Sequence, residues 1–196
     1  MKRIGIIYFE IILLISFVLG SISLNESDQS FPDSKITQRF FENDNFRFEI
    51  PKGWALMETV WGDRYSPRKN YYGFELEEIV SIQNSDVVGQ GTAFFSVASS
   101  PLAGGMDLAD RFTAAYEKPV PAIKNVEKKL YQNEEYSGYE ITYDRPWGEP
   151  WWRFHDLWLV NQDVMIYVLS FHTIPAEYDN NQEIMKQIIN SFTFLN

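Results

Sequence analysis

Residues 151–160 (WWRFHDLWLV) and 164–174 (VMIYVLSFHTI) are two long β-branched and aromatic runs, parted only by Asn161-Gln162-Asp163. Runs of this kind around a short polar loop predict a β-hairpin. After Pro175, apolar residues fall at Ile184, Met185, Ile188, Ile189 and Phe192, which puts them on one stripe of a helix. Asp179 with Gln182 three residues on predicts the start of that helix, Asp179 acting as its N-cap. A long hairpin followed by a one-faced helix needs further strands to pair with and a sheet face to cover. That requirement confines the chain to mixed helix–sheet arrangements.

The upstream chain supplies those strands. Phe46-Arg47-Phe48-Glu49-Ile50 alternates strictly, so Phe46, Phe48 and Ile50 share a face. Pro51-Lys52-Gly53 predicts a turn and Trp54–Thr59 a second short strand. Residues 61–73 are polar, aromatic and turn-rich, and read as a loop. Phe74–Gln83 reads as a strand, Gly89-Gln90-Gly91 as a turn, and Thr92–Ser99 as a further strand. Pro101–Gly105 breaks the chain. Asp107 is a good N-cap with Asp110 at the third helical position, and Leu108, Phe112, Ala115 and Tyr116 form one apolar helix face. Pro119 and Pro121 stop that helix. Val126–Gln132 and Gly138–Asp144 flank the turn Asn133–Ser137, and Arg145–Pro150 reads as the loop into the long hairpin. The expected fold class is α+β, with two main helices packed on the faces of an antiparallel sheet.

Lys2-Arg3 before the apolar run Ile4–Leu19, then Gly20-Ser21-Ile22-Ser23, has the form of an export signal, although Glu10 interrupts the run. Residues 1–23 are expected to be a cleaved signal peptide or an N-terminal membrane anchor through residues 4–19. Residues 24–40 read as a linker that includes the acceptor sequence Asn25-Glu26-Ser27, and 41–196 as one domain. Either fate of the N-terminus places the domain outside the cytoplasm. Net charge is −10, and Lys2, Arg3 and Glu10 leave +1 on the first 23 residues, so the remainder carries −11. That field repels phosphate backbones, so nucleic acid is not an expected partner. The chain has no cysteine, which excludes disulfides, thiolate metal sites and a cysteine nucleophile.

The residues give little sign of catalysis. With Asn161–Asp163 as the loop, residues whose numbers sum to 324 face each other. His155 then faces Leu169, His172 faces Trp152, and the two rings project to opposite faces of the sheet. A two-residue loop would shift the sum to 325 and could bring them to one face, three residues apart. Neither register lets them share a metal, and no metal or cofactor is expected. No serine occupies a nucleophile elbow and no glycine loop matches a phosphate cradle. The acidic pairs Glu77-Glu78, Glu134-Glu135 and Asp107/Asp110 read as a strand edge, a turn and a helix cap. The most distinctive local sequence is Arg145-Pro146-Trp147-Gly148-Glu149-Pro150-Trp151-Trp152. Such a loop can expose an aromatic platform or fold its indoles back over the sheet edge. Arg145, Trp147, Glu149 and Trp151 are therefore the expected contact residues.

Three segments together resemble a known superfamily. These are the alternating strand that runs into Ile50-Pro51-Lys52-Gly53-Trp54, the helix after the middle strands, and the ending Ile188-Ile189-Asn190-Ser191-Phe192-Thr193-Phe194. Across residues 40–196 the chain is similar to the PsbP-like and Mog1-like domains. The resemblance implies an α/β/α sandwich around an antiparallel sheet and a non-catalytic role, binding a protein partner or stabilising an assembly. The chain is thus expected to be an exported protein-binding module, acting at the cell surface and not as an enzyme. The alternatives are an extracytoplasmic small-ligand or cation-binding protein, or a degenerate hydrolase.

Overall fold

The structure, a computed structural model, describes residues 39–57, 76–85, 91–102, 106–117, 123–146, 151–162 and 164–195. The chain runs β1 (Arg39–Glu42), β2 (Phe46–Ile50), β3 (Ala55–Leu56), β4 (Glu77–Gln83), β5 (Ala93–Pro101) and α1 (Leu108–Glu117). It continues with β6 (Lys124–Gln132), β7 (Ser137–Pro146), β8 (Trp151–Asn161), β9 (Met165–Thr173), a 3-10 turn (Pro175–Glu177), α2 (Tyr178–Ser191) and β10 (Thr193–Phe194). Seven strands form one sheet in the order β3-β4-β5-β9-β8-β7-β6, every neighbour antiparallel. A second sheet, β1-β2-β10, joins the start of the domain to residues 193–194.

Position in the sheet explains why the strands differ in sequence. β9 is the central strand, and every residue from Ile166 to Thr173 is buried, which is why its sequence is apolar on both faces apart from Ser170, His172 and Thr173. β6 is at the edge, and eight of its nine residues are exposed. On one face of the large sheet lie Val97, Leu157, Leu159, Leu169 and Phe171, covered by Phe46 and Phe48 of β2 and by Met185 and Ile188 of α2. On the other lie Ala98, Ile141, Tyr143, Trp158 and Val168, covered by Phe112, Ala115 and Tyr116 of α1. Burying each of these large side chains contributes about 1.5–3 kcal/mol, so both layers stabilise the sheet between them. The result is an α+β domain with a helix on each face, as expected.

The cap of α1 forms as predicted, with the Asp110 amide donating to Asp107 Oδ1 at 2.8 Å. Gly53 sits at φ +82°, which the Pro51–Trp54 turn requires. Five expectations need correction. β3 spans only Ala55–Leu56; residues 58 and 59 of the expected strand lie outside the described residues, as does the whole 61–73 loop. A strand at Arg39–Glu42 crosses the boundary expected for the linker, because Phe41 packs against Phe46 and Phe48. Asp179 is not an N-cap: the 3-10 turn begun by Pro175 runs directly into α2, whose cap position is Glu177. Asp179 lies in the first turn instead, where a carboxylate still complements the helix dipole. Arg145 is in β7, paired with Trp152, because the ladder continues through Pro146.

The fifth correction concerns the hairpin. Asn161 pairs with Met165, so the loop is Gln162-Asp163-Val164, with Gln162 at φ +52°. Pairing sums are 326 and not 324: His155 faces Phe171, and His172 faces Phe154. A slip of two keeps every side chain on the same face, so the apolar pattern cannot distinguish the two registers. For the same reason the two histidines are on opposite faces, as expected.

Candidate functional site

β7 alternates Tyr139, Ile141 and Tyr143 toward α1 with Glu140, Thr142 and Asp144 toward α2. The hairpin that joins it to β8 sets Thr142 opposite His155 and Asp144 opposite Arg153. The polar row of β7 therefore meets a histidine and an arginine on β8, close to where α2 begins.

His155 Nε2 lies 2.9 Å from Glu140 Oε1, and Nδ1 lies 3.2 Å from the Tyr178 hydroxyl and 3.3 Å from Thr142 Oγ1. Lys129 of β6 reaches the same Glu140 oxygen at 2.9 Å. Burial pushes the Glu140 carboxyl up, but the hydrogen bonds and charges of His155 and Lys129 outweigh it and hold the group below its ordinary value. Burial raises the Tyr178 phenol. Next to this cluster Arg153 grips Asp144 through two bonds, 2.7 and 3.1 Å, and Asn125 Nδ2 donates to Asp144 at 2.6 Å. Burial raises Asp144 too, and the bonds from Arg153 and Asn125 more than reverse it. Each ring nitrogen of His155 is already within hydrogen-bonding distance of a neighbour and the ring is buried. To act on an external substrate it would have to break one of those bonds. What the arrangement does directly is fasten β6, β7, β8 and α2 together.

Under α1 there is a second polar cluster. Asp156 is fully buried, and both Tyr116 and Tyr143 donate to its Oδ2 at 2.8 Å, while Trp158 Nε1 donates to the Tyr116 hydroxyl at 3.1 Å. Along the same face His172 stacks between Phe94 (5.2 Å) and Phe154 (4.9 Å). A groove of about 380 Å³ opens at the start of α1, lined by Leu102, Leu108, Leu130, Tyr139 and Val160 among others.

The four expected contact residues are not one patch. Arg145 is 5% exposed, with its guanidinium 4.3 Å from the centre of the Phe154 ring on the α1 side. Trp151 is 37% exposed and on the opposite side, with Lys124 Nζ 3.9 Å above its ring. Trp147 and Glu149 lie outside the described residues. Trp151 thus touches the beginning of β6 through Lys124, whereas Arg145 supports the sheet from within. Sequence reasoning did not find Glu140, Thr142, Asp144, Arg153 and Tyr178. The signal was available for four of them, since placing Tyr139, Ile141 and Tyr143 on one face sends Glu140, Thr142 and Asp144 to the other, and Arg153 follows by pairing. Tyr178 reaches the row only through the path of the 3-10 turn, which leaves no trace in spacing.

No family model matches the chain, and no curated protein matches it. Solved structures do. Cyanobacterial PsbP (CyanoP) from Synechocystis superposes over 83% of this chain and 96% of its own, with a TM-score of 0.57 at 13% identity. The fold is that of PsbP. LpqN of Mycobacterium tuberculosis, a protein involved in cell envelope biogenesis, matches the same 83% of this chain and 88% of its own, with a TM-score of 0.55 at 10% identity. A protein from Bacteroides thetaiotaomicron matches 82% of this chain over 50% of its own, with a TM-score of 0.52 at 10% identity. At identities of 10–13% the likeness is one of fold.

Proposed function

We propose that this PsbP-like domain is an exported, non-catalytic binding module that holds another protein along the outer edge of β6, with Trp151 at one end of the contact. The carrying observation is β6 itself. It is nine residues long, lies at the sheet edge, and among the described residues pairs only with β7, leaving one row of backbone donors and acceptors for an incoming strand. The Glu140–His155–Lys129 cluster gives that edge a rigid backing, because Lys129 is tied from β6 through β7 to β8. Export is supported by the charged and apolar character of residues 1–23 and by the likeness of fold to an envelope-biogenesis protein. Residues 4–19 either direct the chain across the membrane or keep it there.

Photo-crosslinking tests the reading. A photoreactive amino acid at Leu130, a residue 77% exposed on β6, is expected to form a discrete covalent adduct in intact cells. The same probe at exposed Lys186 of α2 is expected to form none. Equal labelling from the two positions, or none from Leu130, overturns the proposal.

A further inference from the structure

An exposed edge strand normally carries features that discourage pairing, such as lysines and bulges, and β6 has both. Lys124, Lys128 and Lys129 lie along it, and a register shift between Lys124 and Glu127 marks a bulge with Asn125 at φ +53°. The charges are nevertheless not arranged to repel a copy of themselves. Antiparallel pairing of two identical strands about a two-fold axis normal to the sheet places each residue opposite the one whose number completes a fixed sum, and only even sums keep faces matched. Centring on Lys129 opposes lysine to lysine and sets Glu127 against Tyr131. Centring on Glu127 opposes glutamate to glutamate and sets Val126 against Lys128. Centring on Lys128 gives a different result. Glu127 then faces Lys129 twice, and Val126 faces Leu130 twice.

We infer that β6 is a self-complementary edge, through which two copies of the chain join into one continuous sheet with Lys128 on the axis. The inference rests on the binding reading above and names the partner as a second copy of this chain. The single like-charge contact is relieved, because each Lys128 Nζ lies 5.5–5.6 Å from the Phe112 and Tyr116 rings of its own α1 and so leans away from the axis. On the opposite face the pairing makes an alternating row, Glu127 of the second copy, then Lys129, then Glu140, where Lys129 and Glu140 are already 2.9 Å apart. The apolar pairs use the two exposed hydrophobic side chains of the strand, Val126 at 42% and Leu130 at 77% exposure. The bulge ends the shared ladder at Val126, so five residues of each copy pair. Such a contact is small, and the dimer it forms is weak and concentration-dependent.

Charge exchange tests this without depending on loss of fold. Sedimentation equilibrium of the full chain at about 0.15 M salt, where the mutual repulsion of two acidic copies is screened, is expected to show a monomer–dimer equilibrium. Glu127→Lys and Lys129→Glu each turn two attractive pairs into two repulsive ones and are expected to weaken it by roughly tenfold or more. An equimolar mixture of the two variants restores complementarity, so it is expected to form a heterodimer about as tight as the wild type. Because the chain lacks cysteine, Lys128→Cys is expected to form a disulfide-linked dimer under mild oxidation, and Lys186→Cys to remain monomeric. A wild type that stays monomeric at every concentration, or variants that associate as well alone as mixed, overturns the inference. An adduct at Leu130 with a different protein, from a chain that does not self-associate, refutes the dimer and leaves the binding reading standing. No adduct at all removes both.

Discussion

At the scale of single residues, the chemistry concentrates on Glu140. Among the described residues it is the only side chain bonded both to the buried His155 and to the solvent-facing Lys129, so its ionisation links the sheet interior to the β6 edge. A carboxyl whose folded value is below its unfolded one adds stability that is complete above the ordinary value, 4.5 for Glu140, and disappears as pH falls through the lowered one. Asp144, lowered from 3.8, acts with the same sign. Urea midpoints are therefore expected to stay level from neutral pH to about pH 5 and to fall steeply below it. Glu140→Gln is expected to flatten part of that fall and to lower the plateau, since the amide keeps the shape and loses the charge. A variant with the wild-type slope would show that the His155 and Lys129 bonds do not lower Glu140. Gly138 marks a different kind of constraint. A Cβ there would run into the Trp158 carbonyl oxygen, so Gly138→Ala forces β7 and β8 apart and is expected to cost about 1–3 kcal/mol in chemical denaturation.

At the scale of elements, the two helices are attached by unlike means. α2 rests on an apolar layer through Met185 and Ile188 and meets the buried His155 through Tyr178, while α1 is anchored to the buried Asp156 carboxylate through Tyr116. Tyr116→Phe preserves the ring contacts with Phe112 and Trp158 and removes one donor from Asp156 and the acceptor of Trp158 Nε1. The expected cost is about 1–3 kcal/mol. Proteolysis under native conditions should then cut α1 before α2, and equal protection of the two would contradict it. The sequence made α1 legible because its cap and apolar stripe are local. The central hairpin was legible as an element and not in register, since a slip of two leaves Leu157, Leu159, Leu169 and Phe171 on the same face. Asp156 was illegible: in WWRFHDLWLV it looks like any polar position of a strand, and its partners arrive from β7 through Tyr143 and from 40 residues upstream through Tyr116. The loop reading of Arg145 failed because Pro146 suggested a break, whereas proline is tolerated at a strand end.

At the scale of the whole molecule, the large sheet and its helices form a body that the small sheet fastens to its own beginning. Thr193 and Phe194 pair with Arg47 and Phe46, the Leu195 amide donates to the Asn45 carbonyl at 2.8 Å, and Phe192 stacks on Phe46 at 5.2 Å. Phe194 also packs on Tyr136 and Tyr167, and its amide takes the Tyr136 hydroxyl as acceptor. Phe194 is half-buried, so Phe194→Ala is expected to cost about 2–3 kcal/mol, read as a lowered urea midpoint, and a loss below about 1 kcal/mol would show that this closure is ornamental. Contacts that span almost the whole domain form late. Phe46 and Phe48 leave the ribosome first, yet the residues that cover Phe46 emerge last, so a growing chain has no early way to complete this layer. Closure then acts as a timer. Until synthesis reaches residue 194 the layer over Phe46 stays unfinished, and only afterwards can it close.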